Sequence, residues 1–312
     1  MVKMFHIEPI IEARAWGGRK IIEQFGYQTD LDNIAEVYHV IAIPGHLDCL
    51  VSDTGQPLSE FYATHMELFD CDSSDLPVRL VTANAADRLS YHLHPQEDYG
   101  FAHEGMHSKI EGTFTIEETG EEYEVIVGHN AQSLEQFKAW VEEGAWDKLF
   151  RPIKMHVGDY LHMPIGTLHG ESGDGTVISV AFSTNGDITY RLYDWGRNDP
   201  QRPLHVQQVF DNVNMPDDKV EGYHVIPYEQ DGCLVYDYYA KPGEYVGRRV
   251  KVDGSGSFGM DEFMFLLCLQ GEGAVAGNAI KPGETLFVPA HSGDLELCGD
   301  RLDLAVLSYK DA

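Results

Sequence analysis

Positive charge is scarce in this chain. Its 312 residues carry 22 Lys and Arg against 51 Asp and Glu, a formal net charge of −29 at pH 7. Nucleic acid and anionic membrane surfaces need a basic footprint, so this balance excludes both as partners. An anionic small molecule would gain nothing from the overall field either. It has to be held by a local basic cluster, which works because charges beyond about 8 Å are largely screened at physiological salt. Cysteine is also sparse: Cys49, Cys71, Cys233, Cys268 and Cys298 are odd in number, scattered, and form no CxxC pair. That usage suits reduced thiols rather than a disulfide framework. No run approaches the roughly 18 apolar residues of a membrane-spanning helix, and residues 1–8 lack the apolar core of a signal peptide. A soluble cytoplasmic protein is the expectation.

What the chain does have is histidine, 15 in all, and a patterned stretch at 158–169. Gly158 opens a strand, Pro164 ends it because it cannot donate to a ladder, and Gly166 permits a tight reversal that leaves His169 at the turn exit. Upstream, His92 and His94 lie two apart in a strand-like segment and so project from one face. Glu111 follows His94 by 17 residues. His92, His94, Glu111 and His169 together offer three nitrogens and one oxygen with room for water or substrate, the pattern of an open catalytic metal site. Surface decoration by the paired histidines, and a plain hairpin at Gly166 and His169, are the competing explanations. His103 and His107 are rival donors in residues 95–107, a polar stretch expected to loop over the mouth of the site.

Most of the remaining chain reads as short β-runs between turns. A strand at 37–43 ends at Pro44-Gly45, another at 76–81 carries Arg79, and 189–197 places Arg191, Tyr193 and Trp195 on one parity. Helices are expected near 58–69 and 133–150, the second opened by Ser133 and Gln136 as a capping box and stopped by Gly144. A polar, Pro-containing stretch at 198–218 reads as a linker. Beyond it, Gly283 to Pro289 repeats the spacing of Gly158 to Pro164 without the histidine. The expected architecture is therefore mainly β: two small antiparallel barrels, a metal-binding domain at 1–215 with the helical insert, and a second, metal-free domain at 216–312.

The spacing G-x5-P-x-G-x2-H resembles the second motif of the cupin superfamily. The order of Trp16-Gly17-Gly18, Leu76-Pro77-Val78-Arg79, the His92 and His94 segment, Lys109-Ile110-Glu111, the 158–169 stretch and residues 187–197 resembles type I mannose-6-phosphate isomerase in its short bacterial form, over nearly the whole chain. The resemblance implies a zinc-dependent interconversion of mannose 6-phosphate and fructose 6-phosphate on a two-cupin (jelly-roll) fold. By position, the family's metal ligands fall on His92, His94, Glu111 and His169, its lysine on Lys109, and its active-site aspartate and arginine on Asp187 and Arg191. One divalent metal, zinc first, is the implied cofactor, and a small sugar phosphate the implied partner.

On this assignment the metal and Arg191 stabilise developing charge, Lys109 with Arg79 contacts phosphate or hydroxyl, and Asp187 orients the substrate. The proton-transfer base stays open among a water at the metal, Asp187 and a nearby histidine. The chain departs from the family pattern in several places. His92 stands for a glutamine, Gly112-Thr113 for an aromatic, Val180 to Ser183 for a Glu-Ile-Gln-Gln strand, and Arg79 for a lysine. Three histidines with one glutamate also suit Mn, Fe or Ni. A cupin oxygenase and a non-catalytic sugar-phosphate binder therefore stand beside the isomerase.

Overall fold

Runs of Val, Ile, Leu, Tyr and Phe broken by glycine and proline become strands because branched and aromatic side chains pack well on a pleated surface. In the computed structural model, which describes residues 3–171 and 173–312, they pair into three antiparallel sheets of ten, six and five strands. Among the described residues these sheets are open rather than closed rings, so the expected pair of barrels appears as a mainly antiparallel β structure. Met1, Val2 and Ser172 lie outside the description. No described helix is long and apolar enough to cross a membrane, and the five cysteines are free.

The five-stranded sheet runs Phe150–His156, Glu122–His129, His169–Glu171, Tyr91–Leu93, Tyr190–Tyr193. In the six-stranded sheet, Glu111–Thr115 lies between Leu161–Met163 and Ser179–Thr184. The ten-stranded sheet gathers the C-terminal strands, yet Phe5–Glu8 joins it through Phe5↔Phe287 and brings Leu50–Val51 with it. Hydrogen bonding therefore crosses the expected boundary at 215/216. The largest apolar cluster does the same, uniting Phe61, Phe69, Val78 and Phe182 with Tyr238, Phe265 and Phe287. A buried cation fastens the same seam. Arg249, 1% exposed, makes two bonds to Asp303 at 2.9 and 2.7 Å and reaches Glu118 at 2.8 Å and the Ile116 carbonyl at 2.8 Å. A charge taken this far out of water is tolerated because every face of its fork is paired.

The helix at Leu134–Glu143 forms where both of its ends are chemically closed. Ser133 accepts from the Gln136 N–H at 3.2 Å, and Gly144 ends Leu134–Glu143 in the left-handed conformation. The single helix expected at 58–69 is two, Leu58–Thr64 and Met66–Phe69. Thr64 Oγ1 bonds the Glu60 carbonyl and the His65 ring the Phe61 carbonyl, which draws the backbone out of its ladder at His65. The expected loop at 95–107 contains a helix, Glu97–Glu104, opened by Glu97 and Asp98 and capped by Gly105. It was invisible to periodicity because it has no apolar stripe. Within the expected linker, Val206–Asn212 is helical, and its Asn212 accepts the Gln96 N–H at 2.9 Å.

His39 is buried among these sheets, its ring 3.0 Å from Thr82 Oγ1, and burial holds its pKa down to about 3. Its folded value lies below its unfolded value near 6.5, so from pH 6.5 downward the unfolded chain binds a proton that the folded chain refuses. Stability present above pH 6.5 is then lost as pH falls toward 3. Between pH 7 and pH 4.5 the unfolding free energy of the wild type should fall by about 2–3 kcal/mol relative to His39→Gln. Parallel curves in a denaturant titration would clear His39 of this role.

Candidate functional site

The turn after Leu161–Met163 builds the site. Thr167 N–H donates to the Pro164 carbonyl at 3.2 Å, and Gly166 sits at φ 77°, as the third position of a type II turn requires. Gly166 N–H donates to the His94 carbonyl at 2.9 Å, so the reversal is pinned to the strand carrying the paired histidines. A Cβ on Gly166 would come within 2.6 Å of Asn214 Oδ1, which leaves no room for a side chain. His169 then pairs directly with His92 in the ladder. Glu111 arrives from the six-stranded sheet, and its carboxylate meets the histidines of the five-stranded sheet. The two sheets therefore face each other across the site.

One ring nitrogen from each of His92, His94 and His169 lies within 4.8 Å of the others, a group that could hold a metal ion. Each ring is oriented by its other nitrogen. Nδ1 of His92 faces the Ser90 carbonyl at 2.7 Å, that of His94 the Ile188 carbonyl at 2.8 Å, and that of His169 the Thr167 carbonyl at 2.9 Å. A carbonyl only accepts, so each Nδ1 carries the hydrogen and each neutral ring presents a bare lone pair at Nε2. Nε2 of His169 stands 3.0 Å, and that of His94 3.4 Å, from Glu111 Oε1. Neither buried nitrogen has a hydrogen-bond partner. Lone pairs facing a carboxylate need a cation between them, and this donor set therefore fits the implied metal.

Electrostatics favour the same occupancy. Burial, then the neighbouring histidines, drives His92 well below the ordinary imidazole value, and burial with Lys109 lowers His94 to about 4. Burial alone would raise Glu111, but Lys109 and His94 outweigh it and hold the carboxyl well below its usual range. His92 and His94 are thus neutral imidazoles and Glu111 an ionised carboxylate at neutral pH.

A cleft of about 800 Å³ opens onto His92, and a smaller cavity of about 120 Å³ lies behind it beside Glu111 and His169. The larger volume falls within the roughly 300–1,000 Å³ of small-molecule sites. Arg14, Arg79, Lys109, Arg191 and Arg202 line the cleft, five of the 22 cations in the chain. Glu36, Glu104, Asp187 and Asp199 line it as well, so the cleft brings cations together locally in an acidic chain without being uniformly basic.

All four remaining site residues expected from sequence line this cleft, but Lys109, Arg79 and Asp187 are already engaged. Lys109 Nζ lies 3.1 Å from Glu111 Oε2. Arg79, 2% exposed, donates to the Gly186 carbonyl at 2.7 Å and pairs with Asp187 at 3.2 Å. Arg191 sits opposite His92 in the ladder, so the two side chains share a face, and its Nε is buried without a partner. His103 and His107 are turned elsewhere: His103 stacks on Tyr99, and His107 binds Glu97.

Sequence reasoning passed over His46 and His205. His46 Nε2 meets Asp187 Oδ2 at 2.8 Å, and His205 donates its main-chain N–H to the Arg191 carbonyl at 2.7 Å while its ring Nδ1 accepts the Arg191 N–H at 3.2 Å. Pro44-Gly45, read only as the end of a strand, was the one local signal for His46. Gly112 is explained as well. A Cβ there would strike the Tyr160 hydroxyl, which bonds Tyr245 from the C-terminal sheet at 2.9 Å, so the aromatics come from remote segments.

Fold and site define a mainly antiparallel β protein with an internal histidine cluster able to hold a metal ion. No family model matches the chain. A mannose-6-phosphate isomerase of Streptococcus mutans is 33% identical over 217 residues, 68% of each chain. Another from Bacillus subtilis is 28% identical over 304 residues, 94% of this chain and 95% of its own. The crystal structure of the Bacillus subtilis mannose 6-phosphate isomerase superposes with a TM-score of 0.87 at 24% identity, covering 97% of this chain and 99% of that one. The chain belongs to the type I mannose-6-phosphate isomerase family. It is an enzyme, an aldose–ketose isomerase.

Removing a ligand tests the cluster directly. His94→Ala and Glu111→Gln should each weaken zinc binding at least as much as the roughly 10- to 100-fold loss seen when outer-shell partners are removed. Equilibrium dialysis showing wild-type uptake in both variants would discard the cluster as the metal site.

Proposed function

We propose that this enzyme interconverts mannose 6-phosphate and fructose 6-phosphate in the cleft above His92, His94, Glu111 and His169, with one divalent metal, zinc first, on those four side chains. The observation that carries the proposal is the cluster of three tethered imidazoles, two of them turning bare Nε2 lone pairs toward one ionised carboxylate, beside a cleft lined by five cationic side chains. When bound, such an ion polarises the sugar oxygens and stabilises charge developing on them. Zinc stands first because neutral imidazoles with one carboxylate suit it, and the family resemblance points the same way.

The side chains of the chain divide the remaining work. Arg191 shares the face of His92, and its unpaired Nε with the rest of its planar fork can bind an oxyanion or a phosphate oxygen without first breaking an internal ion pair. Lys109, pinned by Glu111, presents its other hydrogens to a sugar hydroxyl or phosphate at the metal end. Arg79 acts at one remove, holding Asp187 in place. Burial alone would raise the Asp187 pKa, but Arg79 and Lys109 outweigh it, so the carboxylate stays ionised to orient the substrate. We assign the fold to the cupin type, residues 1–215 forming the metal-holding part and 216–312 its support, with Phe5–Glu8 lent to the sheet of the second part.

Incubation of the zinc-loaded protein with mannose 6-phosphate should yield fructose 6-phosphate, and chelation should abolish the conversion. Arg191→Ala should lower kcat/KM by about 10²- to 10³-fold, the scale of losing one preorganised charge-stabilising donor, with bound zinc unchanged. Full turnover in that variant would remove Arg191 from the mechanism. Wild-type turnover of other sugars, with none of this pair, would move the enzyme to a different substrate.

A further inference from the structure

His46 lies on the turn that follows Glu36–Val40, remote in sequence from every metal-site residue, yet it lines the same cleft as His92, Lys109 and Arg191. Its Nε2 is 2.8 Å from Asp187 Oδ2. An ionised carboxylate only accepts, so Nε2 carries the hydrogen and Nδ1 presents a free lone pair. No described residue hydrogen-bonds to that nitrogen. Behind the pair, Asp187 is fixed by Arg79 at 3.2 Å, and its neighbour Ile188 supplies the carbonyl that orients His94. The charged groups facing the ring are thus Asp187 and, beyond it, Arg79 and Lys109. A carboxylate that holds an imidazole in one tautomer and steadies its protonated form is the arrangement of a general base.

We propose that His46 is the catalytic residue that carries the proton between C2 and C1 of the sugar, with Asp187 as its positioning residue, an assignment that rests on the isomerase function argued above. Nδ1 takes the hydrogen on C2 as a proton. The C2–H electron pair becomes the C1–C2 double bond of the enediol while the carbonyl pair moves to O1. The hydrogen on O2 passes to O1, Nδ1 returns its proton to C1, and the ketone forms at C2. Hydrogen and electrons change places within one sugar, so no oxidant or reductant is consumed. The half-exposed ring exchanges its proton with water, and turnover in deuterium oxide should place deuterium at C1 of the ketose.

His46→Gln tests the assignment, because the amide can still donate to Asp187 but cannot carry a proton. In the zinc-loaded full chain kcat should fall about 10²- to 10³-fold, while KM, bound zinc and the affinity for an open-chain hexitol phosphate stay within about threefold. Deuterium entry at C1 should fall in step with kcat. A variant turning over within threefold of wild type overturns the assignment, and so does one that loses zinc or hexitol phosphate binding along with turnover, since His46 would then be a tether of the loop. Wild-type protein unable to interconvert the two sugar phosphates overturns the functional proposal itself, and this assignment with it.

Discussion

Three hydrogen bonds from imidazole N–H groups to main-chain carbonyls organise this protein. Each fixes one tautomer, so that Nε2 of His94 and of His169 faces the oxygen of Glu111 while a ring nitrogen of His92 lies within 4.8 Å of theirs. Such an arrangement is unfavourable in itself, because acceptors crowd acceptors in a place that water barely reaches. A single cation held among these side chains, as proposed above, would satisfy every member at once.

That demand reaches far into the fold. His92 and His169 must be ladder neighbours, so the turn at Gly166 is tied to the His94 carbonyl and braced by Asn214. Glu111 must come from the opposing sheet, and the strand it opens is held from behind. Gly112 is bare so that the hydroxyls of Tyr160 and Tyr245 can lie against it, and Arg249 grips the chain just after the strand at Ile116 and Glu118. The C-terminal sheet thus supports the strand that carries Glu111.

Around the centre, charge is arranged against the bulk composition. A chain of net charge −29 gathers Arg14, Arg79, Lys109, Arg191 and Arg202 around one cleft, and it employs them unequally. Arg79 and Lys109 are spent on internal carboxylates, while Arg191 keeps its Nε free of protein partners. Parity along the 189–197 strand grouped Arg191 with Tyr193 and Trp195, and the family resemblance then singled it out. Nothing along the chain marked which of the cations would be engaged, because their partners Asp187 and Glu111 lie on other segments or take that role only through folding.

Residue spacing alone determined the metal-site candidates. Two histidines separated by one residue must share a strand face, and a Pro-x-Gly turn must leave His169 near its exit, since both follow from backbone geometry that needs no other segment. Helix ends were legible at Ser133 and Gly144 for the same local reason, whereas Glu97–Glu104 escaped notice because its polarity is uniform around the axis. Tertiary structure decided the rest. It delivered Glu111 from the facing sheet, routed Phe5–Glu8 into the C-terminal sheet, and set His46 against Asp187 across 141 residues of chain. Long-range pairing of this kind depends on how sheets stack and which edges meet, and those energies are shared among many side chains rather than carried by any one stretch of sequence.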